Sequence, residues 1–395
     1  MPTHIAIGHS QDPDPVQAAK DAVVQVKAQL NQPHVDFVLL FCTPAYARED
    51  MLYTVDRLLK PTKLIGSSTP AFILPEQIRT KGVGLLAIAS DEIHFGLGAV
   101  NRGSYQDMRQ AGFDLAREAT SDFRDHLRQL FLFFCDGIIS NNTSFVRGAQ
   151  EIIGNTAPIL GGISRDEYSM KKSFQICQNH ILTDAAAGVL IGGHASIVLG
   201  NKHGWRPLGK PRAITRATGN IIHEIDQKPA IHVYQEYLGE EIKNVPHARP
   251  GAYANLYPLG IYMEEDREYM LRNIIDILED GSIVCQGDVA ENAEVHIMIS
   301  NKESLKQAAV DAAHLVRDGL FGRQAKLILV FESILRLRIL GKAAIQELQM
   351  IKDVLGYTTP IFGMYTNGEV SPFHSLQNVR STYLHNESIN IIAIG

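Results

Sequence analysis

The sequence predicts an α/β protein of two domains, built from repeated strand-helix-strand units that are each followed by a β-hairpin and that form mixed sheets. Short, continuous apolar segments of about five residues alternate with longer segments whose apolar residues recur every three or four positions. These are the patterns of buried strands and amphipathic helices. The same order of strand, helix, strand and glycine also returns three times along the 395 residues.

The first unit opens with an apolar segment at 4–8 and a helix that Asp14-Pro15 starts, because proline suits the first helical turn. Apolar residues then recur from Val16 to Leu30 at helical spacing. A continuous apolar run at 37–41 then predicts a buried strand. An amphipathic segment at 48–59 predicts a second helix, and Gly66 follows it.

The order of the first unit returns in the middle and near the end of the chain. From a phenylalanine in the continuous apolar strand to the following glycine, the distance is 25, 27 and 32 residues in the three units. This is the length of a crossover between parallel strands. Two strand-like segments follow each glycine and suggest a hairpin. The corresponding positions are Phe41 and Gly66, Phe134 and Gly161, and Phe331 and Gly363.

A boundary is expected near residue 215, which divides the chain into domains 1–215 and 216–395. The tract 205–216 holds two prolines, a glycine and four basic residues, and is typical of a linker or an edge strand. In the second half, Asp280-Gly281 predicts a hairpin turn. Ser304 to Gln307 has the spacing of a capping box and predicts the start of a helix.

Composition narrows the class of protein. The net charge of −6 lacks the clustered basic residues of a nucleic-acid-binding surface, and the longest apolar runs fall far short of the ~20 residues of a membrane span. The N-terminus has no signal-peptide pattern. Four widely spaced cysteines form no CxxC pair, so we expect reduced core thiols and a cytoplasmic location.

Motifs of catalysis are missing from the sequence. It contains no GxSxG elbow, P-loop, GxGxxG, HExxH or CxxCH pattern. Ser67 could be a nucleophile, but the spacing assigns no base to it. We therefore do not predict an enzyme, and keep a hydrolase or transferase as an alternative.

Several segments resemble the FIST family, in an order that covers nearly the whole chain. DFVLLFCTPAY, KLIGSSTPAF and KGVGLLAIAS are similar to the FIST N-terminal domain, and IIHEIDQKPAIHVYQEYLG, LILVFESILRLRILG and TPIFGMYTNGEVSPF to the FIST C-terminal domain. The resemblance implies a small-ligand sensor in signal transduction, acting through a separate partner such as a histidine kinase or a cyclic-dinucleotide enzyme of a two-component or related system. One subgroup resembles haem proteins that sense nitric oxide. The third strand ends in Glu332-Ser333, where the family would have a small or acidic residue and then cysteine.

Polar residues that follow the three glycines are candidates for ligand binding, since ligands of parallel α/β sheets sit beyond the carboxyl ends of the strands. The alternative is that each glycine only permits a tight turn. The candidates are Ser67 and Ser68, Ser164 and Asp166, and Tyr365 with Thr366.

Arg336 and Arg338 follow the third strand two residues apart, so they could share a face, and the guanidinium fork suits a carboxylate. Arg336 matches the family's arginine after the strand and is the stronger candidate. The alternative is a salt bridge with Glu332 or Glu369. Asn367-Gly368 predicts a turn that presents Glu369 at the same rim.

Fifteen histidines raise the question of haem, although no pair has tight ligand spacing. His385 is the candidate axial ligand if haem binds; Cys42 and Cys135 are weaker candidates, with core thiols as the alternative. The cofactor is therefore unknown. We expect a cytoplasmic sensor with a small-molecule ligand and a separate output partner; a nitric-oxide sensor, an enzyme using the same groove and a ligand-free scaffold are the alternatives, and homo-oligomerisation is left open.

Overall fold

The computed structural model describes residues 3–30, 32, 34–123, 127–137, 142–155, 157–164, 173–239, 256–373 and 382–395. The fold is α/β with mixed sheets, as predicted, and contains three copies of one unit. In units 1 and 2 the order is strand, helix, strand, helix, strand, hairpin and strand. Unit 1 comprises β1 (His4–Ser10), α1 (Pro15–Leu30), β2 (Phe37–Cys42), α2 (Glu49–Leu59), β3 (Lys63–Ser68), β4 (Phe72–Leu74), β5 (Gln77–Arg79) and β6 (Val83–Ala89).

Unit 2 repeats this order without change. Its first helix has no counterpart among the helices predicted from the sequence. Unit 2 comprises β7 (Ile93–Asn101), α3 (Met108–Asp122), β8 (Arg128–Asp136), α4 (Asn142–Ile153), β9 (Ile159–Ser164), β10 (Gln175–Cys177), β11 (His180–Leu182) and β12 (Ala185–Gly193).

Unit 3 is interrupted after its first strand, β13 (Ile197–Lys202), by residues 206–299, which we call the insert. The insert comprises β14 (Arg206–Thr218), β15 (Ile221–Ile225), β16 (Lys228–Pro229), α5 (Ile231–Leu238), β17 (Leu259–Met263), β18 (Glu268–Arg272), β19 (Ile274–Ile277), β20 (Ile283–Cys285) and β21 (Glu294–Ile299). Unit 3 then resumes with α6 (Lys302–Gly319), β22 (Leu327–Ser333), α7 (Ile334–Leu340), α8 (Ala344–Leu355), β23 (Ile361–Thr366), β24 (Glu369–Pro372), β25 (Thr382–His385) and β26 (Ile389–Ile394).

The three units form three separate six-stranded sheets, and each unit contributes its hairpin to the sheet of another unit. The strand orders are β1-β6-β2-β3-β10-β11, β7-β12-β8-β9-β24-β25 and β13-β26-β22-β23-β4-β5. The hairpin of unit 2 therefore completes sheet 1, that of unit 3 completes sheet 2, and that of unit 1 completes sheet 3. No unit has a complete sheet of its own.

The inner faces of the three sheets meet in one apolar core, and helices cover each outer face: α1 and α2, α3 and α4, and α6 and α8. Burial on both faces explains why the central strands are continuous apolar runs. At the centre, the equivalent residues Phe41, Phe134 and Phe331 contact one another, with ring centroids 5.4, 5.8 and 6.3 Å apart. The repeated phenylalanines of the sequence thus lie on the pseudo-threefold axis.

The three glycines lie inside strands rather than at their ends, so the alternative that each only permits a tight turn is wrong. The register places Leu40 opposite Gly66 and Val330 opposite Gly363 in the parallel pairs. A Cβ at Gly66 would lie 2.0 Å from the carbonyl oxygen of Leu40, and one at Gly363 would lie 1.9 Å from that of Val330. Glycine here permits the close approach of two strands.

Two other local expectations change. The tract at 205–216 is not a linker: it enters β14, which pairs with β21 in its first part and with β15 from Ile214 onward. The helix expected to start at Ser304 starts one turn earlier, because Asn301 is the N-cap and Ser304 completes the capping box. Asp280-Gly281 does join two paired strands, β19 and β20. The domain boundary at residue 215 stays a prediction, and that residue lies within β14.

Candidate ligand site

Hydroxyl side chains are buried where the parallel strands β3 and β9 end. Ser67 Oγ and Ser164 Oγ are hydrogen-bonded to each other although they come from different units. Ser68 Oγ accepts the N–H of Phe174 at 2.9 Å. The structure therefore brings Ser67, Ser68 and Ser164 together, already bonded within the protein. Their role in ligand binding stays a prediction, and Asp166 lies outside the described residues.

Glu369 lies beside this group, on β24, which pairs with β9 at Gly162. Its carboxylate accepts hydrogen bonds from Thr366 Oγ1, from Ser388 N–H at 3.1 Å and from Ser388 Oγ at 2.9 Å. Burial raises the pKa of Glu369 to about 7, although these hydrogen bonds oppose the rise. A fully buried carboxyl group that titrates near neutral pH is therefore part of the strand-end cluster.

Arg336 lies in a different place, under the helices of unit 3. Its Nε donates to Glu332 Oε1 at 3.0 Å, and its two terminal nitrogens donate to Glu347 Oε1 and to the main-chain oxygens of two further residues. The salt bridge with Glu332, which the sequence allowed as the alternative, is formed. Since every guanidinium nitrogen already donates to an oxygen, a ligand would have to displace these bonds.

The expectation that Arg336 and Arg338 share a face is wrong. Both lie on α7, and residues two apart on a helix point to different sides. Arg336 is fully buried, whereas Arg338 is exposed. Tyr365 is buried in the same outer core of unit 3, where burial raises the pKa of its hydroxyl well above the ordinary value.

His385 does not fit the role of a haem ligand. Its Nε2 lies 2.9 Å from Ser371 O, and since a carbonyl oxygen only accepts, Nε2 must carry the proton and donate. The ring is buried edge-on against Phe373, and burial lowers the pKa of His385 to about 4. The imidazole is therefore neutral, and Nε2 is not available to a metal.

The turn between β25 and β26 is buried, unlike its equivalents in units 1 and 2. Gly82, Asp184 and Glu387 occupy the corresponding turns, and all three have positive φ, of 118°, 46° and 59°. The turns of units 1 and 2 reach the surface, whereas the insert covers the third. Asn273 N–H of the insert donates to Asn386 Oδ1 at 2.9 Å.

Glu387 is the most unusual residue of this turn, because its side chain is fully buried and no donor of a described residue bonds to either carboxyl oxygen. The Asn273 amide lies nearby but outside hydrogen-bonding geometry. Burial raises the pKa of Glu387 to about 8, and the neighbouring Glu369 adds to the rise. The folded protein therefore holds a proton on Glu387 at neutral pH.

We expect Glu387→Gln to remove a pH dependence of stability. Between the ordinary pKa of 4.5 and about 8, the unfolded chain loses a proton that the folded protein keeps, so stability falls as pH rises through this range. The variant lacks the ionisable group and should be more stable than the wild type at pH 8.5, by about 1–3 kcal/mol, with the difference vanishing near pH 5.

Urea unfolding at pH 5.5, 7 and 8.5 checks this expectation. Glu279→Gln, at an exposed glutamate of the insert, is the matched control and should behave like the wild type. Glu332 and Glu369, whose pKa values burial also raises, leave a residual slope in every variant. An unchanged slope in Glu387→Gln would show that Glu387 is already ionised in the folded protein.

A cleft of about 670 Å³ separates the insert from unit 2 and from the hairpin strand β25. We call it the insert cleft. Helix α4 lines one side from Thr143 to Gln150, β25 contributes Thr382 to Leu384, and the insert forms the opposite wall. The insert residues in that wall are Ile261, Tyr262, Met263, Glu264, Glu265, Met270, Arg272, Asp288, Val289, Ala290 and Ala293.

Arg272 is the buried charge of the insert cleft. Only 2% of it is exposed, and its acceptors are the main-chain oxygens of Leu271, Asp288 and Leu384 together with Met270 Sδ. Among the described residues, no carboxylate forms a salt bridge with it. Burial lowers the pKa of Arg272 to about 10, so the residue stays charged at neutral pH.

Sequence analysis missed Arg272 and the insert cleft. The available signal was a single charged residue, an arginine, in the otherwise uncharged segment YMLRNII. An unpaired charge inside a strand requires an explanation. That signal does not tell which other segment faces the residue. The cleft joins three segments that are distant in sequence.

Comparison with known proteins bears on both halves of this architecture. Residues 36–228 match the FIST N domain and residues 230–372 match the FIST C domain. The chain belongs to the FIST family. FIST domains are generally associated with sensing of small ligands in signalling and are sensory rather than catalytic. The junction of the two FIST matches, at residues 228–230, lies inside the insert.

One curated relative also matches a large part of the chain. Uncharacterized protein MJ1623 of Methanocaldococcus jannaschii is 23% identical over 329 residues, which are 78% of this chain. The matched part is 62% of the length of that relative. A solved structure of cyanuric acid hydrolase aligns with 50% of this chain and 71% of its own, at 10% identity and a TM-score of 0.29, which is too low to support an inference.

Two sequence expectations can be compared with the FIST structure directly. None of the helices in the described ranges is long and apolar enough to cross a membrane. No disulfide joins the four cysteines, all of which lie in the described ranges, and Cys42 and Cys135 are buried in the outer cores of units 1 and 2. Burial raises the pKa of Cys42 to about 12, so this thiol is a core residue rather than a ready metal ligand.

Proposed function

We propose that this FIST protein is a cytoplasmic sensor whose small ligand occupies the insert cleft, and that it signals through a separate partner such as a histidine kinase. The observation that carries the proposal is the position of the cleft. Its walls come from unit 2, from the unit 3 hairpin and from the insert, so one ligand would contact all three. A ligand that binds one arrangement of these parts more tightly shifts the population toward it.

The insert is attached to the body by contacts that such a ligand would affect. Arg272 lines the cleft and also donates to Leu384 O at 2.8 Å, and the next residue, Asn273, bonds the buried turn at Asn386. The insert further reaches the β23–β24 turn through Gln286, which donates to Asn367 O. A ligand in the cleft would therefore lie next to the hydrogen bonds that hold the insert to the body.

The alternatives have less support. Haem would need His385 to give up its bond to Ser371, and His385 does not line the insert cleft. For a hydrolase or transferase, Ser67 would need a base. Its Oγ contacts Ser164 Oγ and the main-chain oxygens of Ser68 and Phe174, and no imidazole or amine of a described residue bonds to it.

We expect ligand binding to tighten the insert–body interface. Hydrogen exchange of peptides covering Asn273 and Ser388 should slow by at least about fivefold when the cleft is saturated, because both amides donate across buried contacts. A panel of small acids, amides and alcohols screened by thermal shift supplies the ligand, and Ala290→Trp, which fills the cleft from an exposed position, should abolish the effect.

Ala28→Trp, on the exposed face of α1 in unit 1, is the control for the added indole and should leave binding unchanged. If a compound binds and is displaced by Ala290→Trp, yet exchange at Asn273 and Ser388 stays the same, the proposed coupling of the cleft to the interface is wrong. If Ala290→Trp leaves binding intact, the ligand sits elsewhere.

A further inference from the structure

We propose, on the basis that the insert cleft is the ligand site, that its ligand is a small organic monocarboxylate, held through its carboxylate by Arg272 and through an apolar body by the cleft walls. This assigns a chemical class to the ligand. Three features of the described residues support it: an unbalanced buried cation, apolar walls and an acidic rim.

The unbalanced cation is evident when the two buried arginines among the described residues are compared. Arg336 is as deeply buried as Arg272 and has two carboxylate partners, Glu332 and Glu347. Arg272 has no carboxylate partner among the described residues. Of these two arginines, Arg272 is the one that lines the cleft. Asp288 lies near Arg272 and acts on it electrostatically, but its carboxylate forms no salt bridge with the guanidinium. A buried charge without a directly bonded counter-ion is costly, and an anion bound in the cleft would supply one.

The geometry of Arg272 leaves a donor for that anion. Nε donates to Asp288 O at 3.0 Å, and one terminal nitrogen donates to Leu271 O and Leu384 O. The acceptor of the other terminal nitrogen is Met270 Sδ, at 3.1 Å, and a thioether is a weak acceptor. A carboxylate oxygen would be a far better partner, because hydrogen bonds between charged groups are the strong ones.

The walls of the cleft favour an apolar ligand body. Side chains of α4, β25 and the insert that line it include Val146, Ile261, Met263, Val289 and Leu384. A volume of about 670 Å³ lies within the usual range of small-molecule sites. The methionine can adapt its shape to different bodies, since it is unbranched.

The rim limits the charge of the ligand to one. Glu264 and Glu265 are exposed at the edge of the cleft, and Asp288 is half-buried beside Arg272. Arg147 is the cation on the opposite side, on α4. A dianion such as a phosphate monoester would meet three acidic side chains with one buried cation, so the arrangement favours a monoanion.

The test compares matched acids and neutral amides on the full-length protein by isothermal titration calorimetry at pH 7. The pairs are hexanoate with hexanamide and benzoate with benzamide, and hexyl phosphate represents the phosphate class. We expect at least one acid to bind about tenfold or more tightly than its amide and than hexyl phosphate. Arg272→Lys keeps the charge but loses the planar fork, and should weaken the acid by about tenfold with little effect on the amide.

Arg272 also bonds the insert to Leu384 O, so the stability of its variants must be measured together with their binding. Ala290→Trp leaves Arg272 intact and should abolish binding of acid and amide alike, whereas Ala28→Trp should abolish neither. Urea unfolding of Arg272→Lys separates a loss of fold from a loss of binding: a variant that stays folded and binds the amide normally, but not the acid, supports the proposal.

The outcomes separate the ligand class from the site. If acid and amide bind equally and Ala290→Trp abolishes both, the carboxylate proposal is wrong and the insert cleft stands as the site. Tighter binding of hexyl phosphate overturns the choice of carboxylate. If the acids bind unchanged to Ala290→Trp, or if none of these compounds binds the wild type, the cleft itself is rejected.

Discussion

Arg336→Met is expected to destabilise the protein by about 3–5 kcal/mol, one of the two largest effects that we predict. The substitution removes the cation that Glu332 and Glu347 share and leaves two carboxyl groups side by side in a fully buried cluster. Burial, followed by the repulsion from Glu347, already raises the pKa of Glu332 well above its ordinary value. Without Arg336, whose charge favours the ionised form of Glu332, the cost of ionising Glu332 rises further. Urea unfolding followed by circular dichroism measures the loss.

Arg338→Met is the matched control, because Arg338 lies on the same helix and is exposed. Its loss should stay below about 1 kcal/mol, which is typical of surface charges. The deficit of Arg336→Met should be largest at pH 8 and smaller at pH 5, because the raised pKa of Glu332 in the folded protein makes stability fall as pH rises.

A rescue experiment tests the Arg336 prediction even if the single variant fails to fold. Combining Arg336→Met with Glu332→Gln and Glu347→Gln removes all three charges and should recover most of the loss, because uncompensated charge rather than lost volume causes it. If Arg336→Met unfolds at the same urea concentration as Arg338→Met, the cluster does not carry the charges described for it.

Phe41→Ala is expected to cost about 3–5 kcal/mol for a different reason, a cavity at the centre of the molecule. The Phe41 ring contacts Phe134 of unit 2 and both Phe331 and Phe362 of unit 3. The cavity would therefore weaken contacts between all three units at once. We expect one unfolding transition at lower urea, rather than early loss of unit 1 alone.

Phe321→Ala is the control for Phe41→Ala, since 75% of Phe321 is exposed, and its effect should be within about 0.5 kcal/mol. Phe41→Leu should lie between the two. Fluorescence of the single tryptophan, Trp205, and circular dichroism should report the same midpoint. Separate midpoints would mean that the three units unfold independently despite the shared core.

The repeated core could be predicted from the sequence because burial on both faces dictates continuous apolar strands. Phe41, Phe134 and Phe331 were aligned by pattern alone, and they meet at the axis. The same pattern located the glycines, but it did not show why glycine is required at these positions. Close approach of neighbouring strands at Leu40 and Val330 is a three-dimensional constraint that the local sequence does not express.

The exchange of hairpins and the position of the insert were beyond sequence reasoning. A short hairpin such as β4–β5 has the same local pattern whichever sheet edge it joins. Arg336 shows the limit for the site: the guanidinium and its glutamate at i−4 suit a ligand site and a buried salt bridge equally well, and only the packing of α6 to α8 decides between them. Arg272 also has a glutamate at i−4, Glu268, but on a strand the two do not pair, and Glu268 forms its salt bridge with Lys202.

The exchange of hairpins has a consequence for how the protein is made. Ile73 in the hairpin of unit 1 pairs with Gly363, close to the other end of the chain. On the ribosome, the first hairpin therefore emerges long before the strand that will receive it, and sheet 3 also waits for β26 to pair with β13 across the whole insert. Contacts of this sequence separation are slow to form. The nascent chain must therefore keep its early apolar strands soluble until β23 and β26 have been synthesised.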